Sequence, residues 1–155
     1  MGKKIDFDIQ AAHKYFSAEC FNRAWDYIDK PIRNKLEEDL MLQLSLASLW
    51  HWTQRKDSTS TTLSVGYWQV SRVYALLRQA ENSKHYGELC LEVSLGEDVL
   101  PFYRGYAYEA LARAEMVAGN EDEMEKHLIN AHQVAASLPD PKAKKQLLHD
   151  LATIR

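Results

Sequence analysis

Apolar residues recur at helical spacing along nearly the whole chain. In the second quarter, Leu36, Leu40, Ala47 and Trp50 fall on one face of a helix. Nowhere does a sustained alternation of apolar and polar residues appear, and the sequence contains no Asn-Gly hairpin signal. The pattern therefore predicts an all-α protein with about seven helices.

Turn signals divide the first part of this pattern into two helices. The first is predicted over 6–28 and ends before Pro31, because proline rarely continues a helix interior. Pro31 suits the first turn of the second helix, which runs to about Arg55. The polar segment that follows offers Ser58 or Ser60 as the cap of the third helix.

Glycine and proline also mark the later boundaries. A fourth helix is predicted over 80–93, and Pro101 lies near the start of the fifth. Gly119 suits a left-handed C-terminal cap of the fifth helix. Asn120 and Glu123 have the spacing of a capping box at the start of the sixth.

These boundaries predict a single domain of three antiparallel hairpins and one terminal helix. The first hairpin covers 1–57, and the next two cover 60–138. Asp140 as cap and Pro141 at the first position begin the last helix, which extends over 140–155. This helix is expected to cover the apolar end of the stack, as stacked helical repeats require.

Composition narrows the function classes. The net charge is −3, with acidic and basic residues mixed, so no basic stripe indicates nucleic-acid binding. Cys20 and Cys90 lie within helical patterns and are expected to be small buried residues in a reducing compartment. The N-terminus carries no apolar signal segment, and the most apolar run, 40–52, is too short to span a bilayer. We therefore expect a cytoplasmic protein that does not bind membranes.

Two stretches carry the same order of aromatic, small and turn residues. The first consists of Tyr67, Val70, Ser71, Tyr74, Ala80, Ser83 and Cys90, and the second of Tyr108, Leu111, Ala112, Gly119 and Ala131. This order resembles the tetratricopeptide repeat (TPR). The resemblance implies a right-handed array of helical hairpins that acts as a protein-interaction module.

The chain departs from this family's pattern in several places. Ser71 and Ala112 are 41 residues apart, whereas the repeat has about 34 residues. Arg78 stands in place of the turn glycine of the earlier hairpin, and Glu115 replaces an aromatic residue of the later one. The segment 21–25 also resembles part of a second helix, which would split the first predicted helix and leaves the phasing of the N-terminal helices open.

The resemblance places the partner in a groove lined by the first helix of each hairpin. The residues expected there are Trp68, Arg72, Leu76, Tyr106, Glu109, Arg113 and Met116. Arg72 and Arg113 occupy equivalent places in successive repeats and are expected to pair with a carboxylate of a bound peptide. Trp68 and Met116 would add apolar contact. The alternative is that both arginines form ion pairs on the surface of their helices and that Trp68 packs internally.

No motif indicates catalysis, a metal or a cofactor. The six histidines are scattered without a His-Glu-x-x-His element, and the six glycines form no phosphate-binding loop. The sequence thus favours a non-enzymatic module that binds a protein or peptide, with a homo-oligomer as one form of that partnership. Two alternatives stay open: a small helical-bundle metal protein or enzyme, and a regulatory module that binds a signalling peptide or small molecule between hairpins.

Overall fold

The structure, a computed structural model, describes residues 6–155 as seven α-helices without a β-strand. This confirms the predicted all-α class and helix number for the described part of the chain. The expectation about an N-terminal signal segment falls largely on residues 1–5, which lie outside it. The helices are α1 Ile9–Ile28, α2 Lys35–Gln54, α3 Ser60–Leu76, α4 Ala80–Ser94, α5 Pro101–Ala118, α6 Glu121–Ser137 and α7 Pro141–Leu151.

Consecutive helices pair as α1–α2, α3–α4 and α5–α6, and α7 packs on α5 and α6. The helix α1 runs unbroken, so the segment 21–25 belongs to a first helix and not to a second one. The helices α2 and α4 each also contact the first helix of the next hairpin, and α3 contacts α5. No helix in residues 6–155 combines the length and apolar character that a membrane crossing requires.

Two apolar clusters hold the ends of this stack. One joins α1, α2 and α3 around Ala24, Met41 and Val73. The other joins α5, α6 and α7 around Ala131 and Leu147. The terminal helix therefore covers the apolar side of the last hairpin, as its position predicts.

The start of α2 differs from its prediction. It begins at Lys35, so Pro31 lies in the preceding linker rather than in the first helical turn. The side chain of Asn34 accepts a hydrogen bond from the backbone of Glu37 at 2.9 Å, and Glu37 accepts one from the backbone of Asn34 at 3.0 Å. This reciprocal capping box satisfies two backbone N–H groups and fixes the helix start.

One further predicted cap is wrong, and another, Asn120, has the predicted N-cap position without the predicted side-chain bond. Thr59, not Ser58 or Ser60, caps α3, because its hydroxyl accepts from the backbone of Thr62 at 3.2 Å. Asn120 makes no side-chain cap at the start of α6. Its amide instead donates to a carboxylate oxygen of Glu115 at 2.8 Å.

Glu115 itself explains one departure from the repeat pattern. Its side chain is buried and pairs with Lys84 of α4 at 2.5 Å. Although burial favours the neutral acid, the hydrogen bonds from Lys84 and Asn120 hold the pKa of Glu115 below its usual value. An ion pair thus joins α4 to α5 where the family pattern has an aromatic residue.

Small residues bring α3 and α4 together. The hydroxyl of Ser71 donates to the carbonyl of Ser83 at 2.7 Å, and the Ser83 hydroxyl donates to the carbonyl of Ser71 at 2.9 Å. A Cβ atom at Gly87 would lie 3.0 Å from Leu111 of α5. The small side chains therefore permit close helix packing in the repeat-like part of the chain.

The turns of the second and third hairpins have the same backbone structure. Arg78 has φ 58° and Gly119 has φ 77°. In each turn the next residue donates to the carbonyl five positions earlier, Gln79 to Tyr74 at 2.9 Å and Asn120 to Glu115 at 3.0 Å. Gly119 confirms its predicted role, and Arg78 takes the same conformation without the freedom of glycine.

Arg78→Gly is predicted to stabilise the protein by about 1 kcal/mol, because a side chain in the left-handed region carries a steric cost that glycine lacks. For a chain of this size the thermal midpoint should rise by about 2–4 °C. Differential scanning calorimetry measures the change.

Arg78→Ala is the control, because alanine keeps the Cβ atom, and it should bring no comparable gain. Gly119→Ala should lower the midpoint by a similar amount, since it introduces the same strain into the matching turn. A rise for Arg78→Ala equal to that for Arg78→Gly would contradict the explanation.

Candidate functional site

A buried carboxylate lies at the contact between α3 and α5. The side chain of Glu109 is fully buried in α5. Its oxygens accept from the indole N–H of Trp68 at 2.9 Å and from Nε of Arg113 at 2.7 Å. Arg72 lies 3.5 Å from the same carboxylate, so two guanidinium groups share one acid.

Arg113 connects this carboxylate to the end of the chain. It is one turn beyond Glu109 on α5, and its Nη2 donates to the hydroxyl of Thr153 at 2.8 Å and to the main-chain carbonyl of Asp150 at 3.3 Å. Only 9% of the Arg113 side chain is exposed, compared with 23% of the Arg72 side chain. Burial lowers the pKa of Arg72, as does the like charge of Arg113, while Glu109 opposes both effects.

Tyr106 links α5 to α7 one turn before Glu109. Its hydroxyl donates to a carboxylate oxygen of Asp150 at 2.5 Å. Burial and the neighbouring negative charge of Asp150 raise the pKa of Tyr106, so the hydroxyl stays protonated and keeps donating. This bond fixes the position of the Asp150 carboxylate.

Above these polar groups lies a pocket of about 210 Å³ with mainly aromatic walls. It is lined by Trp25, Ser64, Val65, Trp68, Phe102, Tyr103, Tyr106, Gln146 and Asp150, which come from α1, α3, α5 and α7. The rings of Trp25 and Trp68 stack with centroids 5.8 Å apart, and the ring of Tyr106 meets Trp68 edge-on at 5.6 Å. Its walls are therefore held by ring contacts between different helices.

A second pocket of about 280 Å³ adjoins the first. Val65 and Tyr103 line both pockets, and Phe21, Asn22 and Trp52 lie on the far side of the second. We call the two pockets together the first-helix groove, because α1, α3 and α5 supply most of their walls. This groove runs across successive hairpins.

The structure brings only part of the predicted site to this surface. Trp68 and Tyr106 line the groove. Glu109 and Arg113 are buried beneath it and pair with each other, contrary to the expectation that they lie on an exposed surface. Arg72 pairs with Glu109. The protein's own carboxylate therefore lies where the carboxylate of a bound peptide was expected.

Leu76 and Met116 lie away from the groove. Leu76 packs against the cluster of α1, α2 and α3, and Met116 packs against the cluster of α5, α6 and α7. Both residues lie towards the C-terminal ends of their helices, whereas the groove crosses the N-terminal halves. The predicted face was therefore displaced by about two turns along the helix axes.

The residues of the aromatic pocket that the predicted site missed are Trp25, Ser64, Val65, Phe102, Tyr103, Gln146 and Asp150. Tyr103 precedes Tyr106 by three positions, and Val65 precedes Trp68 by three, so helical periodicity places each pair on one face. That spacing could have extended the predicted groove towards the helix starts. No sequence pattern indicates that α7 supplies Asp150, because this depends on how the terminal helix packs.

No family model, curated protein or solved structure matches the chain.

The remaining candidate chemistry involves two histidines of the first hairpin. The Nδ1 atoms of His13 and His51 lie 2.8 Å apart, so one ring donates and the other accepts. The ring of Phe16 stacks on His51 at 5.4 Å. Within residues 6–155, no group of three or more His, Cys, Asp or Glu side chains is arranged to hold a metal ion.

Replacing the buried carboxylate tests the ion cluster. Glu109→Gln is predicted to destabilise the protein by about 3 kcal/mol, because it leaves two arginines without a counter-charge in a desolvated site. The thermal midpoint should fall by about 6 °C or more. Thermal unfolding followed by circular dichroism measures it.

Glu123→Gln is the matched control. Glu123 pairs with Lys126 on the exposed surface of α6, and its loss should leave the midpoint within about 1 °C. Equal effects of the two substitutions would show that Glu109 contributes no more than a surface pair.

Stability is also predicted to fall as the pH decreases from 7.5 to 5.5. Burial lowers the pKa of His127, and burial together with the charge of His13 lowers the pKa of His51. The unfolded chain therefore takes up protons first, near pH 6.5, and stability present above that pH is lost as it falls. Urea unfolding at several pH values measures this slope.

The double variant His51→Gln and His127→Gln should show a smaller slope over the same range. Replacement of exposed His132 controls for the loss of a histidine as such. An unchanged slope in the double variant would mean that other groups cause the pH dependence.

Proposed function

We propose that this protein is a non-enzymatic, TPR-like interaction module that binds a protein or peptide segment in the first-helix groove. The observation that carries the proposal is the groove itself, two adjoining pockets with aromatic walls across successive hairpins. Aromatic side chains present large apolar contact areas with little conformational entropy to lose, which suits them to recognition.

The backbone supports a repeat architecture. Two hairpins end their first helices in the same left-handed turn, at Arg78 and Gly119. These positions are 41 residues apart, as are Ser71 and Ala112. With α7 covering the last hairpin, this arrangement favours a right-handed TPR-like array of three hairpins and a terminal helix.

The polar groups beneath the groove favour binding over catalysis. Glu109 and Arg113 are buried and hydrogen-bonded to each other, and Thr153 and the carbonyl of Asp150 accept further bonds from Arg113. These groups fix the walls of the groove and do not line it. Cys20 and Cys90 are free thiols, which fits a reducing, cytoplasmic compartment.

Tyr103→Ala is predicted to weaken peptide binding by at least about tenfold, because Tyr103 forms part of both pockets. Peptides would first be selected on the wild-type protein from a random displayed library. Fluorescence polarisation with labelled selected peptides then gives the Kd for each variant.

Tyr15→Ala is the matched control, since Tyr15 is an exposed tyrosine of α1 outside the groove, and it should leave Kd unchanged. Selected peptides that bind Tyr103→Ala as tightly as wild type would place recognition elsewhere. If no peptide is enriched and the protein sediments as a stable oligomer, the groove-binding proposal fails in favour of self-association.

A further inference from the structure

The aromatic pocket has walls on several sides. Tyr106 lies at 86° to Trp68, and Phe102 lies at 66° to Tyr106 with ring centroids 5.1 Å apart. Trp25 stacks on Trp68 with the ring planes at 24°. Aromatic faces carry partial negative charge, so a set of rings at steep angles around one space attracts a cation.

The charge at the pocket has one sign. Of the nine residues that line it, Asp150 is the one that carries a full charge at neutral pH. In residues 6–155, the carboxylate of Asp150 has no ion-pair partner. It accepts a hydrogen bond from the neutral hydroxyl of Tyr106. A carboxylate held in place beside aromatic rings is a natural counter-charge for a bound cation.

The nearby arginines do not occupy this position. Arg113 reaches the main-chain carbonyl of Asp150, not its carboxylate, and both Arg72 and Arg113 pair with Glu109. The charges of Arg72, Arg113, Glu109 and Asp150 sum to zero. Asp150 lines the pocket, whereas the pairs with Glu109 lie beneath it. The charged residue that lines the pocket is therefore negative, although Asp150 also acts on Arg72 and raises its pKa.

We propose that this pocket binds the basic side chain, lysine or arginine, of a protein segment that lies along the first-helix groove. The proposal rests on the binding function proposed above and specifies the chemistry of its main contact. The volume of about 210 Å³ suits a single long side chain. Its cationic group would lie among the rings of Trp68, Phe102 and Tyr106 and against the carboxylate of Asp150.

The first test uses single residues on the folded wild-type protein. N-acetyl-L-arginine methylamide is titrated at constant ionic strength against its neutral isostere, the citrulline derivative. The indole N–H signals of Trp25 and Trp68 in nitrogen-15 NMR spectra report occupancy. We expect the arginine derivative to bind at least about tenfold more tightly than citrulline. Equal affinity of the two probes would overturn the proposal.

The second test removes the charge with little change in shape. Asp150→Asn should reduce the preference for arginine over citrulline to about twofold or less, whereas Asp122→Asn, which removes an exposed acidic charge from α6, should not change it. A preference retained in folded Asp150→Asn protein would exclude Asp150 as the counter-charge and overturn the proposal.

The peptides selected for the groove separate this inference from the proposed function. If they depend on Tyr103 and lose affinity when their lysine or arginine is replaced by norleucine or citrulline, both proposals are supported. If they depend on Tyr103 but tolerate that replacement, the groove binds peptides and the basic-side-chain proposal is wrong. If no peptide binds, the proposed function fails, and the single-residue titration still decides the pocket's preference.

Discussion

A buried carboxylate must have partners, and Glu109 imposes this requirement at the contact between α3 and α5. Removing such a charge from water costs several kcal/mol unless hydrogen bonds and opposite charges replace the solvent. Glu109 draws its partners from α3 and from its own helix, and Arg113 passes the constraint on to the C-terminal segment through Thr153. Helices distant in sequence are thereby fixed in one relative arrangement.

The same requirement orders the groove. Trp68 cannot turn its indole away without leaving Glu109 short of a donor, and Tyr106 is held by Asp150. Both rings therefore present fixed walls. Preformed walls reduce the entropy that binding would otherwise cost. In the proposed function, the polar cluster beneath the pocket would thus contribute to recognition without touching a ligand.

Much of the fold could be predicted because local signals agree with one another. Gly119 and the Asp140-Pro141 pair mark boundaries that depend only on backbone conformation and capping, and both are observed. The sequence does not show where a second group competes for a capping side chain. Asn120 has the right spacing for Glu123, but its amide donates a hydrogen bond to the buried carboxylate of Glu115. Sequence spacing shows which partners are within reach, whereas tertiary burial decides which one needs the bond most.

The candidate site was less predictable for the same reason. Helical spacing places Trp68, Arg72, Glu109 and Arg113 on first helices, but it does not distinguish a solvent-facing arginine from one that serves a buried acid. Asp150 reaches the pocket only through the packing of α7. Periodicity assigns these residues to first helices, but it gives neither their depth in the protein nor the partners of their charges.

The terminal helix has a consequence for how such a chain can change its length. Asp150 and Gln146 complete the pocket, and Thr153 completes the polar cluster, so the site exists only at the last hairpin. A gene duplication that added hairpins before α1 would leave the site intact. A hairpin inserted between α6 and α7 would separate Tyr106 from Asp150 and dismantle it, so the helical stack tolerates added hairpins before α1 but not before α7.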